Sequence, residues 1–218
     1  MKNKILLSLI LCISIIFVNG CKSRKTPHRE TRKPIVYIYP TKKQLVNVKL
    51  NYNGTLRATY PLYKNQWEFI ADVDGKLTDP ISGDEYQYLF YDGISSAKFS
   101  SFTEGFSIKT DTVISFLQHK LKYLGLNAKE YNDMISYWLP DLNEKTFCQI
   151  RFRMNGDCDA ISTLTIWPKP DTEIRVMMEF VSSNDYIKLP EQKLEKNYRK
   201  GFTIVEWGGV NLTNDPAL

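Results

Sequence analysis

The carboxylates are the residues of this chain best suited to chemistry. Asp92, Glu104, Asp111, Glu179 and Glu206 each lie beside aromatic residues or at the end of a predicted strand. Two of them facing one cleft as acid and base would hydrolyse a glycosidic bond, while aromatic rings stacked on the sugar. Each also has a plainer reading. Asp92-Gly93 reads as a turn, Asp111 begins a helix, and Glu179 alternates outward on a strand. Glu206 follows the apolar run Phe202 to Val205 and precedes Trp207-Gly208-Gly209. At that strand end it reads as a buried carboxylate that accepts backbone N–H groups or pairs with an arginine.

Other chemistries lack parts. Past the amino-terminal region the one histidine is His119, roughly 200° around its predicted helix from Leu117 and so turned from the apolar stripe. A Ser-His-Asp or Cys-His site would rest on that residue alone, with no nucleophile motif beside it. Zinc asks for more His and Cys than this, and neither GxxxxGK[ST] nor GxGxxG occurs. No cofactor or metal is expected. Cys148 and Cys158 would form a hairpin if Asn155-Gly156 is a two-residue turn. The two sulfurs then lie about 15 Å apart along the ladder, beyond the reach of a bridge, so two free thiols are expected; a longer, looser loop that folds Cys158 back to form a disulfide is the alternative.

The chain has 218 residues, 43% hydrophobic and 24% charged, and a net charge of +5. That composition excludes disorder, collagen and coiled coil. Eight of the 29 basic residues precede Pro34, against one of the 24 acidic ones, so the remainder is net −2. A neutral body lacks the basic footprint that nucleic acid requires, and none is expected as a partner.

The first residues read as an address. Lys2 and Lys4 precede the apolar run Ile5 to Val18, which as a helix rises about 21 Å, short of the roughly 30 Å of a bilayer core. A cleaved signal peptide over 1–20 fits better than a membrane span. Val18-Asn19-Gly20-Cys21 resembles the lipobox of bacterial lipoproteins, which implies that Cys21 is acylated with fatty chains such as palmitate. A simple secretory signal is the alternative. Residues 21–32 are basic and read as a flexible tether, either a soluble spacer or a contact for anionic headgroups at about 1 kcal/mol per base. No acidic residue follows Cys21 closely, which by resemblance to sorting signals points to the outer membrane, facing the periplasm.

The elements that must position the carboxylates come next. Strands are predicted at Ile35–Tyr39, Leu45–Leu50, Thr55–Tyr60, Gln66–Asp72 and Glu85–Tyr91, with Asn53-Gly54 as a hairpin turn and Asp74-Gly75 as another. Val113, Ile114, Leu117, Leu121 and Leu124 form one helical stripe that ends at Gly125. Asn127 and Glu130 open a second helix as a capping box, with Tyr131, Met134, Ile135, Trp138, Leu139 and Leu142 on one face. Strands follow at Cys148–Phe152, Leu164–Trp167, Glu173–Val181 and Phe202–Trp207. Strands, a helix pair, then strands describe an α+β fold: a β-rich single domain of antiparallel strands with an inserted αα-hairpin, over 33–212, with a tail at 213–218.

Several segments together resemble a bacterial and fungal family to which no activity is assigned. Its hallmarks run KPVIYLYP, YP, YLYWE, YWLP, TPAPDTxxRVFM and VLEWGG. Their counterparts are Lys33 to Pro40 (KPIVYIYP), Tyr60-Pro61, Tyr88 to Asp92 (YLFYD), Leu124 to Leu126 with Tyr137 to Pro140, Ile166 to Met178, and Val205 to Gly209 (VEWGG). Tyr91-Asp92 replaces Trp-Glu, and Lys169 replaces a small residue. The resemblance implies one folding unit and draws attention to Arg175, Asp92 and Glu206 as members of a buried ion pair, Arg175 with Glu206 first. The resulting expectation is a lipid-anchored, non-enzymatic envelope module, binding or structural, for a protein or glycan partner, with Tyr91 and Trp207 as binding aromatics. The alternative is a hydrolase of an envelope polysaccharide that uses two of Asp92, Glu104, Glu179 and Glu206.

Overall fold

The computed structural model describes residues 29–213 and 215. In chain order the first strands are β1 (Arg29–Tyr39), β2 (Gln44–Tyr52), β3 (Gly54–Tyr60), β4 (Trp67–Ala71), β5 (Leu77–Thr78), β6 (Glu85–Tyr86), β7 (Leu89–Ser95) and β8 (Phe106–Lys109). Helices α1 (Val113–Tyr123) and α2 (Ala128–Leu142) follow, then β9 (Phe147–Met154), β10 (Ser162–Trp167), β11 (Thr172–Ser183) and β12 (Thr203–Asn211). The fold is strand-rich and mostly antiparallel. The signal peptide expected over 1–20 and the expected acylation site Cys21 fall outside the described residues.

The strands form a larger sheet, ordered β3-β7-β1-β12-β11-β9-β8, and a smaller one, ordered β10-β2-β4-β5-β6. One face of the larger sheet packs against the helices. Ile35, Tyr37, Val205, Trp207, Val176 and Phe180 meet Leu117, Leu121, Met134 and Trp138 there. Its other face packs on the smaller sheet, where Val36, Ile38, Leu89, Tyr91 and Ile204 meet Val48, Trp67 and Phe69. Layers of helices, large sheet and small sheet result. Central strands covered on both sides read as near-continuous apolar runs, as in IVYIY and FTIV. Each fully buried large side chain here contributes about 1.5–3 kcal/mol.

Local signals hold inside each element. Asn127 and Glu130 make both bonds of a capping box, worth about 1 kcal/mol for the cap. Val113, Leu117 and Leu121 are buried along α1, while Ile114 stays largely exposed. The Asp74-Gly75 turn joins β4 to β5, which pair antiparallel.

Corrections arise where the chain leaves one sheet for the other. Asn53-Gly54 is not a hairpin: β2 belongs to the smaller sheet, and β3 pairs with β7 in the larger one. A Cβ on Gly54, at φ +149°, would lie 2.0 Å from the Ile94 carbonyl oxygen, so glycine permits the crossing. The predicted strand Glu85–Tyr91 is divided between β6 and β7, again in different sheets. Asn155-Gly156 opens a 3₁₀ turn over Asn155–Ala160 that carries the chain from β9 to β10. Its hairpin register is therefore absent, although Cys148 and Cys158 are both free and buried. β11 and β12 run parallel, an exception to the antiparallel expectation. The 184–202 connection permits it, returning past the β8–β9 edge through the Gly105–Glu191 bridge. Finally, β1 begins at Arg29, inside the segment read as a tether, because Arg29 to Thr31 pair with β7.

Candidate functional site

The candidate carboxylates scatter over the molecule. Glu206 is not at a strand end but in the middle of β12, fully buried between the sheets. Its Oε1 accepts the Tyr91 hydroxyl at 2.5 Å, and its Oε2 accepts Arg175 Nε at 2.5 Å. Arg175 also donates to Asp159 Oδ1, the Ser162 carbonyl and Ser162 Oγ. Burial, then the Glu206 charge, pushes the Tyr91 hydroxyl far above its ordinary value. Arg175 and Glu206 thus form a buried ion pair that ties β11 to β12.

Glu179 does not alternate outward to solvent. It too is fully buried, since that face of β11 is covered. It accepts Arg151 and Arg153, whose guanidinium carbons lie 4.5 Å from the Phe102 ring and 5.3 Å from the Phe99 ring. On β11 it lies four positions beyond Arg175, the register partner of Glu206. That places it roughly 13 Å along the ladder, outside the span of about 5–9.5 Å that glycoside hydrolysis needs. Glu104 is exposed in the loop before β8, and Asp111 sits in a 3₁₀ turn before α1. His119 is exposed and lines a depression with Glu191, Lys193 and Leu194. Tyr91 and Trp207 are both fully buried and unable to meet a partner, which removes them as binding aromatics. Among the described residues no group of three metal-ligating side chains gathers.

Asp92 is different. It is not in a turn but inside β7, where it and Phe90 share the helix-side face, opposite Tyr91. Two helices are too few to cover seven strands: they lie over β1, β12, β11, β9 and β8 and leave β7 and β3 open. The uncovered corner is a cleft of about 550 Å³, lined by Lys33, Arg57, Tyr60, Tyr88, Phe90, Asp92 and Tyr137. A polar extension of about 280 Å³ continues along α2 past Asp133 and Ser136, sharing Lys33, Tyr88 and Tyr137. Both volumes together are in the range of a small-ligand site.

The cleft is amphipathic. Tyr60 and Tyr137 present rings that are 58% and 36% exposed. On the floor, Asp92 Oδ2 accepts Arg57 Nη2 at 2.7 Å and Nε at 3.2 Å. Asp92 Oδ1 is buried and accepts no hydrogen bond, an arrangement native proteins rarely leave without a use. In the extension Tyr37 donates to Asp133 Oδ2 at 2.7 Å. Burial first, and then Asp133, raises the Tyr37 hydroxyl well above its ordinary value, so it stays a donor. Lys33 Nζ lies 4.5 Å from the centre of the Tyr137 ring. Lys33 has φ +51°, a left-handed conformation that costs a residue with a side chain roughly 1–2 kcal/mol.

Asp92 is the one sequence candidate in this cleft. Lys33, Tyr60, Tyr88, Phe90 and Tyr137 lie within the segments KPIVYIYP, YP, YLFYD and YWLP. Those segments were legible as motifs, but not as parts of one surface; Arg57 carried no signal at all. Compared with protein-family models, curated proteins and solved structures, the chain matches none of them.

Proposed function

We propose that this protein is a lipid-anchored protein of the bacterial envelope, held at the membrane by Cys21, whose β-rich domain with an inserted αα-hairpin binds a glycan partner in the Tyr60–Tyr137 cleft. On this reading the chain belongs with the family whose KPVIYLYP and VLEWGG segments it resembles. The observation that carries the binding reading is the pair of exposed rings, Tyr60 and Tyr137, on one open cleft whose lining also holds Asp92 and Arg57. A sugar ring offers an apolar face for the tyrosines and hydroxyls for the polar groups of that lining. On this reading the acyl chains of Cys21 hold the protein at the membrane, at about 0.8 kcal/mol per buried CH₂; no helix among the described residues is long and apolar enough to cross one.

Binding favours the module reading over hydrolysis because Glu104, Glu179 and Glu206 lie outside the cleft, leaving Asp92 without a partner from that set. The test is calorimetric titration of the full chain in detergent with envelope oligosaccharides. Tyr137→Ala, which removes one stacking ring, is expected to weaken binding about tenfold with unfolding unchanged. Unaltered affinity would remove the cleft from the reading. Release of reducing ends during the titration would move it to hydrolysis, with Asp92 and Asp133 as the pair. For the anchor, Cys21→Ser is expected to abolish incorporation of a palmitate analogue in a producing bacterium; retained label would refute it.

A further inference from the structure

We infer that the cleft selects an acidic glycan, and that Lys33 is the residue that reads its anionic group. This rests on the glycan-binding reading above and names its ligand class.

Both cations of the cleft are delivered by irregular backbone. β1 is a central strand, yet its pairing with β12 slips between Arg32 and Ile35, and its pairing with β7 slips between Thr31 and Ile35. Lys33 stands in that double bulge in a left-handed conformation, and Pro34 follows it. A residue before proline is driven toward extended backbone, so this position opposes its local preference twice. Arg57 is likewise the extra residue where the β3–β7 register slips between Leu56 and Ala58. Bulges re-aim side chains, and strained backbone concentrates where a ligand is held. Glycine would occupy the Lys33 position without strain, so the lysine is there for its side chain.

That side chain lines both the aromatic cleft and its polar extension. Arg57 is engaged by Asp92, whereas Lys33 forms no ion pair with any described carboxylate; its contact is the Tyr137 ring. The cleft therefore presents two unlike features side by side: tyrosine faces, and at the junction an ammonium that no described carboxylate pairs. A sugar bearing a carboxylate or a phosphate ester meets both. Its ring face lies on the tyrosines, and its anion accepts from Lys33. A neutral sugar leaves the ammonium unanswered, and a cationic one is repelled.

The experiment is calorimetric titration of the full chain with two matched pairs: a galacturonic acid tetramer against a neutral galactose tetramer, and glucose 6-phosphate against glucose. Wild type is expected to bind the acidic member of at least one pair about tenfold more tightly, an advantage that shrinks as salt is raised. The tetramer pair responding assigns the anion to a sugar carboxylate, and the second pair assigns it to a phosphate ester. Lys33→Met is expected to equalise the members of the responding pair, and Lys33→Arg to restore the difference, with both variants unfolding like wild type. Equal binding within both pairs, still weakened by Tyr137→Ala, would overturn the charge selectivity and leave the glycan reading intact. A preference that survives Lys33→Met would overturn the assignment to Lys33. No binding of any of the four probes would overturn both readings together.

Discussion

Removing the Arg175 guanidinium should show how much of this fold depends on one buried charge cluster. Arg175 is 5% exposed and Glu206 is fully buried. Arg175→Met keeps the length of the stem but deletes the donors to Glu206 Oε2 and to the Ser162 carbonyl oxygen. One orphaned acceptor is neutral and costs about 1 kcal/mol, while the other is a carboxylate and costs more. Breaking buried ion pairs from one side costs about 3–5 kcal/mol, a large share of the roughly 5–15 kcal/mol that stabilises a domain. The second half of the prediction is the more demanding. Adding Glu206→Leu to Arg175→Met removes the stranded charge, so the double variant should be more stable than Arg175→Met alone. Urea unfolding measures both effects, followed by fluorescence of the buried Trp67, Trp138 and Trp207. A loss below about 1 kcal/mol for Arg175→Met, or a double variant whose losses simply add, would refute the reasoning.

Other outcomes follow from packing and from titration. A Cβ on Gly209 would lie 2.6 Å from Trp138 Cζ2 and 3.0 Å from the Met178 carbonyl oxygen, so Gly209→Ala should cost about 1–3 kcal/mol. Gly156→Ala, with nothing within 4 Å of the added atom, should stay within about 0.5 kcal/mol; equal losses for the two in urea unfolding would contradict the packing described. Burial pushes the thiols of Cys148 and Cys158 from 9.0 up to about 12. Above the unfolded value the unfolded chain gives up protons that the folded chain keeps, so stability falls as pH rises from about 9 toward 12. The two thiols together account for roughly 3 kcal/mol between about pH 9 and 10.5. Tyr37, Tyr39 and Tyr91, also raised by burial, act in the same direction. Unfolding free energies that stay flat over that range would refute the burial argument.

What a single sequence reveals depends on the distance over which its cause acts. Helix caps, stripes and apolar strands arise from neighbours along the chain. Asn127 with Glu130, the Leu117–Leu121 stripe and the run IVYIY were therefore legible, as was the oddity of Glu206 directly after the apolar run Phe202 to Val205. The hairpin rule failed at Asn53-Gly54 and Asn155-Gly156 for a physical reason. A turn sequence specifies that the chain bends, but the strand that receives the next segment is chosen by which sheet can bury its apolar face. The same choice divided Glu85–Tyr91 between two sheets and made β11 and β12 parallel.

The cleft follows the same logic. The sequence by itself determined an apolar run from Ile5 to Val18 before Cys21, a near-neutral, strand-patterned body, and one histidine after residue 33 with no phosphate-loop motif. These are properties of composition and local spacing. Only the tertiary structure decided that Glu179 is buried with Arg151 and Arg153, whereas Asp92, paired with Arg57, lines an open cleft. Adjacent residues on β7 point to opposite faces, so Tyr91 enters the sheet-to-sheet core and Asp92 does not. It also decided that Lys33, Tyr60 and Tyr137, up to about a hundred residues apart, share one surface, because the two helices run out before they cover β7 and β3.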